Sequence, residues 1–280
     1  MSKKYSYLFS AALLSLALSS CGGGKSEDGG LDREETKDTI KSEVKIDLQL
    51  MKSKVPSPAI LGKKFSGAGL SYNKSALLAS GKASSYSNRY SQSLGLGAYG
   101  ADLGFACAYN QSQDALEYLN AIGKLAQDLG VASAFDKEFV AKILQSIGKS
   151  DSLQIMLDEA NEKAERNMVS NQRGQSAVLM MCGGWVEGIY VATEHLKAKK
   201  DDPKSKAIYG EIYSHCTSLD YIKEMLKAYK GVADIDKFAA DLEPFLGPIQ
   251  TVNNHQGGFE ASYFDTFYTN IAGLRNKVLN

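Results

Sequence analysis

The stretch Tyr86-Ser-Asn-Arg-Tyr90-Ser-Gln-Ser-Leu94-Gly-Leu-Gly-Ala98-Tyr-Gly-Ala101-Asp-Leu-Gly-Phe105-Ala-Cys-Ala108 decides the fold class. Tyr86, Tyr90, Leu94, Ala98, Ala101, Phe105 and Ala108 recur every three or four residues, the period of one helix face, and the pattern runs too long for a strand. The same period continues downstream. Leu116, Leu119, Leu125, Ala126 and Leu129 mark a second helix that stops at Gly130, and Asp136 is placed to cap a third over Phe139, Val140, Ile143, Leu144 and Ile147. Leu153, Met156, Leu157, Ala160, Ala164 and Met168 mark a fourth. A fifth, from about 175 to 199, turns Val178, Met181, Cys182, Trp185, Ile189, Ala192 and Leu196 inward. Pro203 opens a sixth through Ile208 and Ile212, which continues or kinks into Leu219, Ile222 and Leu226. Phe238, Leu242 and Phe245 mark another before Pro248, and the tail from Phe259 to Leu279 reads as the last. Upstream, Ser57 and Pro58 have the order of an N-cap and first helical residue. Short polar breaks between such helices predict an all-α fold, an antiparallel multi-helix bundle or a helical-repeat layer, over one domain spanning 56–280.

Glycine inside a helix costs about 1 kcal/mol relative to alanine, so the glycines of two of these helices need a compensating role. Gly95, Gly97, Gly100 and Gly104 lie in one, Gly183, Gly184 and Gly188 in the other. Gly100-Ala-Asp-Leu-Gly104 matches Gly184-Trp-Val-Glu-Gly188 in spacing and in carrying an acid. Downstream, Leu116-Glu-Tyr-Leu119 parallels Leu219-Asp-Tyr-Ile222, which suggests a duplicated helix pair with an insertion in the second copy. Two readings of the glycines stand open. In one they only let two helices cross closely. In the other, Asp102 and Glu187 converge beside Trp185 to form a polar spot in an apolar cleft, where two carboxylates can serve as acid and base or as ligands of a hard cation. The second reading requires the carboxyls to lie within about 10 Å of one another in a cavity.

The N-terminus carries an address. Lys3 and Lys4 precede an apolar run from Tyr7 to Leu18, and Leu18-Ser19-Ser20-Cys21 follows. The run is shorter than the ~20 residues of a membrane span and has the form of an export signal. Leu-Ser-Ser-Cys resembles the lipobox of bacterial lipoproteins. The resemblance implies cleavage of residues 1–20, lipidation of Cys21 and a protein anchored to a membrane by acyl chains without spanning it. Residues 21–55 then form a tether that begins Gly-Gly-Gly-Lys-Ser-Glu-Asp-Gly-Gly and suits a flexible linker. Within it, Lys25 to Asp28 resembles the signal that sends some Bacteroidota lipoproteins to the outer cell surface. The outer membrane is the expected location, with its periplasmic and external faces both open. Between Leu31 and Val55, Val44, Ile46, Leu48 and Leu50 alternate as in a strand while Ile40, Val44, Leu48 and Met51 recur as in a helix, and the segment is left unassigned.

Removing residues 1–20 leaves 260 residues, enough for a proper core, with 30 basic and 32 acidic side chains interspersed. No basic face for nucleic acid follows from that balance. Cys107, Cys182 and Cys216 show no disulfide spacing, and Cys107 and Cys182 fall in apolar helical patterns as small buried hydrophobes. His195, His215 and His255 lack zinc spacing, and no metal, cofactor or catalytic constellation is implied. Glu211 and His215, one turn apart, read as a surface pair. Tyr263, Phe264, Phe267 and Tyr268 form either an exposed partner patch or the packing face of the last helix.

The runs Val55-Pro-Ser-Pro58, Leu96-Gly-Ala-Tyr-Gly-Ala-Asp-Leu-Gly104 and Gly183-Gly-Trp-Val-Glu-Gly-Ile-Tyr190 resemble a group of helical Bacteroidota lipoproteins with no assigned activity. That resemblance implies the fold and the compartment, and no catalytic residue. Two functions are compatible with these readings. One is a non-catalytic binding or assembly module that engages a protein, glycan or small molecule. The other is a carboxylate-dependent hydrolase or lyase using Asp102 and Glu187.

Overall fold

Eleven α-helices account for most of the described chain, because the 3.6-residue period of apolar side chains runs through nearly every segment after residue 58. The structure, a computed structural model, describes residues 58–147, 150–255 and 259–280. The signal segment, Cys21, the tether, the unassigned stretch before Val55 and the Ser57 cap lie outside the described residues. In chain order the helices are α1 (Pro58–Gly67), α2 (Arg89–Ala108), α3 (Ser112–Asp128), α4 (Lys137–Ser146), α5 (Ser150–Ser170) and α6 (Gly174–Leu196). They continue with α7 (Lys206–Thr217), α8 (Leu219–Ala228), α9 (Ala233–Leu242), α10 (Leu246–Asn254) and α11 (Phe264–Leu279). Short 3-10 turns, including Lys74–Ala76 and Ser80–Ser85 ahead of α2, complete an all-α multi-helix bundle.

Local chemistry sets the helix ends. The side chain of Asn88 accepts from the Ser91 N–H to start α2, and that of Asp136 accepts from the Phe139 N–H at 2.9 Å to start α4. Helix α3 closes as a Schellman turn. Gly130 sits at φ +68°, its N–H donates to Gln127 and the N–H of Val131 donates back to Ala126 at 2.8 Å. The same turn closes α2 at Asn110 and α5 at Gln172, both non-glycine residues with positive φ. The stretch after Pro203 kinks at Ser218 and divides into α7 and α8. Pro248, read as a stop, instead occupies the first turn of α10, where a backbone N–H would have no partner inside the helix anyway.

The core is organised around α6. This helix is long and apolar enough to cross a membrane, yet nine-tenths of its apolar window is buried inside the fold, so its composition reflects a core position. Neighbours in sequence pack antiparallel: Gly95 faces Leu125 and Tyr99 faces Tyr118 across α2 and α3. Helix α11 is antiparallel to α6, with Glu187 beside Arg275 and Lys197 beside Tyr268. The central crossing differs. Along α2 and α6, Leu94 meets Gly183, Asp102 meets Glu187 and Phe105 meets His195, so the two helices run parallel. No short loop joins them, and nothing in the connection forces the antiparallel arrangement.

This crossing identifies the glycines that matter. A Cβ on Gly97 would lie 1.8 Å from the carbonyl oxygen of Met180, and one on Gly183 would lie 1.9 Å from that of Leu94. Each glycine thus rests on the carbonyl three residues before the other, a locally symmetric contact that lets Cα–H groups approach backbone oxygens. A Cβ on Gly184 would make a tight contact, 3.3 Å from the Gly97 carbonyl oxygen, while one on Gly100 would meet nothing within 4 Å. The crossing therefore pairs Gly97 with Gly183, whereas the sequence motifs align Gly100 with Gly184. The downstream tetrapeptides differ in environment too: Tyr118 and Leu219 are buried, Tyr221 and Leu116 exposed.

Candidate functional site

Asp102 on α2 and Glu187 on α6 meet in the centre of this bundle, both 0 % exposed. Position on the parallel crossing brings them together, since each lies one to two turns beyond the glycine contact on its own helix. Their partners come from elements remote in sequence. Arg275 on α11 donates two hydrogen bonds to Glu187, Nε to Oε2 and Nη2 to Oε1, both at 2.7 Å. The Arg275 guanidinium carbon also sits 4.1 Å from the centre of the Tyr190 ring. The backbone N–H of Leu78, in the segment between the two 3-10 turns, donates to Asp102 Oδ2 at 3.0 Å. The other oxygen, Oδ1, is buried without a hydrogen-bond partner, and the Glu187 carboxyl is a close neighbour of the Asp102 carboxyl.

The electrostatics follow from counting charges. Two buried carboxyls face one guanidinium, and burial penalises whatever negative charge is left over. Burial pushes the Asp102 carboxyl well above the usual range, and the Glu187 carboxylate pushes it further. Burial raises Glu187 as well, but its bidentate bond to Arg275 opposes the rise. Of the two, Asp102 is therefore the carboxyl pushed further toward its neutral form, while Arg275 favours the ionised form of Glu187. Lys82 stands nearest as a further cation. Burial, and then repulsion from Arg275, lowers its pKa, and its ammonium is bonded to Asn280.

Chemically this is a closed ion and proton network. The convergence needed for a carboxylate site is present, but the two carboxyls lie within packed core. A depression of about 710 Å³, open to solvent, is lined by Lys64, Gly67, Ala68, Gly69, Lys204 and Glu211. It lies at the junction of α1 and α7, and neither carboxyl borders it. Trp185 also lies apart from the pair: its Nε1–H donates to the His215 carbonyl at 3.0 Å and to Ser218 Oγ at 2.9 Å, tying α6 to the α7–α8 kink. Gly104 and Gly188 are buried within their helices, and Gly100 is half-buried. Arg275, which completes the network, was not singled out in the sequence. Among the described residues no group of three or more His, Cys, Asp or Glu side chains stands close enough to hold a metal ion.

The other polar groups resolve into structural roles. Cys107, Cys182 and Cys216 are free thiols buried in the core, and burial pushes the Cys107 thiol up to about 12. Phe264 and Phe267 are buried, so the terminal aromatics pack inward. The surface pair expected of Glu211 and His215 is not formed. His215 is 1 % exposed and its Nδ1–H donates to the backbone carbonyl of Glu211, while the Glu211 carboxylate reaches Lys64. Nε2 of His215 has no partner, and burial lowers the ring to about 4. An unfolded histidine binds its proton near pH 6.5, so the unfolded chain takes up more protons than the folded one between these values. Stability conferred by the neutral ring is thus present above about pH 6.5 and falls by up to about 3 kcal/mol as the pH drops toward 4. Chemical unfolding of wild type beside His215→Phe should show that loss as the difference between the two across this range, since the raised Asp102 carboxyl and the lowered His195 ring titrate in both.

No family model matches this chain, and no curated protein or solved structure matches it either.

Proposed function

We propose that this protein is a lipid-anchored cell-envelope protein whose helical domain acts as a non-catalytic binding or assembly module. The structural observation that carries the non-catalytic part is the closure of Asp102, Glu187 and Arg275 within the core, with both carboxyls 0 % exposed. A general acid or base has to reach the proton it moves within hydrogen-bonding distance of a substrate. Glu187 is instead occupied by Arg275 on both oxygens. The anchoring part rests on Leu18-Ser19-Ser20-Cys21 at the end of an apolar run that is too short to span a membrane. Several acyl chains, at about 0.8 kcal/mol per buried CH₂, would hold such a domain at a membrane surface. The glycine-rich residues after Cys21 would give it reach.

Two measurements on intact cells test this reading, with wild type beside Cys21→Ala and a lysed control. Wild type is expected to fractionate with membranes and to incorporate radiolabelled fatty acid, and Cys21→Ala to do neither. Added protease reports the face: digestion without lysis places the domain outside the cell, and protection until lysis places it in the periplasm. An uncleaved, unlabelled wild-type chain would overturn the anchor. Turnover of an envelope substrate that is abolished by Asp102→Asn in a folded protein would overturn the non-catalytic assignment.

A further inference from the structure

The Asp102–Glu187–Arg275 network closes over the segment 74–85, which reaches the core through two polar contacts. The Leu78 N–H bonds Asp102 Oδ2, and the Ala76 carbonyl accepts from Arg275 Nη2 at 3.5 Å. Tyr99, one turn before Asp102 on α2, donates to the Ala79 carbonyl at 2.9 Å, and Tyr86 at the exit of the segment donates to the Leu279 carbonyl at 2.7 Å. We propose that Asp102 and Glu187 share a single proton, and that this proton works as a latch holding the 74–85 segment against α2, α6 and α11, closed while Asp102 carries it and opening when Asp102 loses it.

The geometry requires the proton. Oδ1 of Asp102 is buried with no hydrogen-bond partner beside a carboxyl already held by Arg275, so without a proton two carboxylates would stand side by side in packed core with one guanidinium for two charges. The charged and titratable groups around the Asp102–Glu187–Arg275 network come from every surrounding element. Lys82 and Tyr86 belong to the covering segment and its exit, and Tyr72 precedes it. Tyr99 lies on α2, Tyr118 on α3, Glu187 and Tyr190 on α6, and Arg275 on α11. The tyrosines are all raised by burial and stay neutral, so Lys82 supplies the remaining positive charge. Lys82 sits on the covering segment itself, at its rim. An ionised Asp102 needs water or a second cation, and both would come from that side. Helices α2 and α6 cannot part there without losing their backbone contact at Gly97 and Gly183.

The sign is fixed by linkage. A carboxyl whose folded value is raised confers stability that is full below its ordinary value and is lost as the pH rises toward the folded one. Opening that releases one proton therefore becomes about tenfold more frequent per pH unit between these limits. Hydrogen exchange on the full chain tests this at the Leu78 amide, corrected for intrinsic base catalysis. Protection in wild type is expected to fall by up to about tenfold per unit as the pH rises above the ordinary carboxylate range, until Asp102 ionises in the folded protein, and to be flat in Asp102→Asn. The asparagine keeps both hydrogen bonds, accepting from Leu78 and donating to Glu187 without a titratable proton. An equal slope at the Leu94 and Gly183 amides would mean that the whole fold opens, and would overturn the latch. So would a slope that persists in Asp102→Asn. Infrared spectra of wild type with ¹³C-labelled aspartate stand independently of the variant. Asp102 is the buried aspartate among the described residues, and a protonated-acid carbonyl band is expected from it at a pH just above the ordinary carboxylate range, where exposed aspartates are ionised. Absence of that band would end the proposal.

Discussion

Gly97→Ala and Gly183→Ala are each expected to destabilise the fold by about 3 kcal/mol or more, at the upper end of the usual cost of overpacking. Helix propensity alone argues the opposite, because alanine is favoured over glycine in a helix interior by about 1 kcal/mol. Geometry decides the sign. The added methyl would stand 1.8 Å from the Met180 carbonyl oxygen in one case and 1.9 Å from that of Leu94 in the other, and both obstacles are backbone. A side chain can change rotamer to make room, but a helical carbonyl moves only with its helix. The α2–α6 spacing must then widen, loosening the apolar contacts of the most extensive helix pair in the fold. The double variant should cost less than the two singles together, because the second methyl enters a crossing already opened by the first. Gly100→Ala supplies the control. It lies in the same helix with nothing within 4 Å of its Cβ position, so there propensity prevails and stability should rise by up to about 1 kcal/mol. Urea unfolding of the four variants checks all of this. A Gly97→Ala protein as stable as wild type would show that the two backbones do not approach as described.

These outcomes mark where the sequence was readable and where it was not. The helices were legible because each carries its own signals: the repeat from Tyr90 to Phe105, the Asp136 cap, and Gly130 in the left-handed conformation that α3 needs to end. Pro248 misled because a proline that closes one helix and a proline in the first turn of the next look identical until the partner helix is known. That glycines would serve a close crossing was readable from their cost. Which ones did so was not, since the choice of Gly97 and Gly183 over Gly100 depends on the angle and direction of a contact between helices far apart in the chain. Trp185 was a readable miss: two residues from Glu187 is about 200° around a helix, and the two side chains could not share a face. Arg275 was not readable at all. It is one basic residue in an amphipathic terminal helix, where the default is a solvated side chain, and its partner lies 88 residues away.

Arg275→Met is expected to cost about 3–5 kcal/mol at neutral pH, the range for stripping one partner from a buried ion pair. The methionine fills most of the volume, so the loss is electrostatic. Glu187 is left with no hydrogen-bonded cation, only the more distant Lys82, and must either remain charged in the core or take up a second proton beside Asp102. Because losing the guanidinium raises the folded-state value of Glu187 further, the deficit relative to wild type should shrink as the pH falls toward the ordinary carboxylate range. Glu187→Leu alone should be damaging to a similar degree, since it strands the guanidinium, now held only by the Ala76 carbonyl and the face of Tyr190. Combining the two changes separates the worth of the pair from the penalty of breaking it. Replacing a whole buried ion pair with apolar residues is often neutral or stabilising by about 1–4 kcal/mol. Glu187→Leu with Arg275→Met should therefore recover most of what either single change loses, although Asp102 loses the acceptor for its proton in the process. A double variant near wild-type stability would mean that the pair is kept for something other than stability, which is what a proton-controlled latch requires. A double variant as unstable as the singles would mean that the network is needed to hold α6 and α11 together.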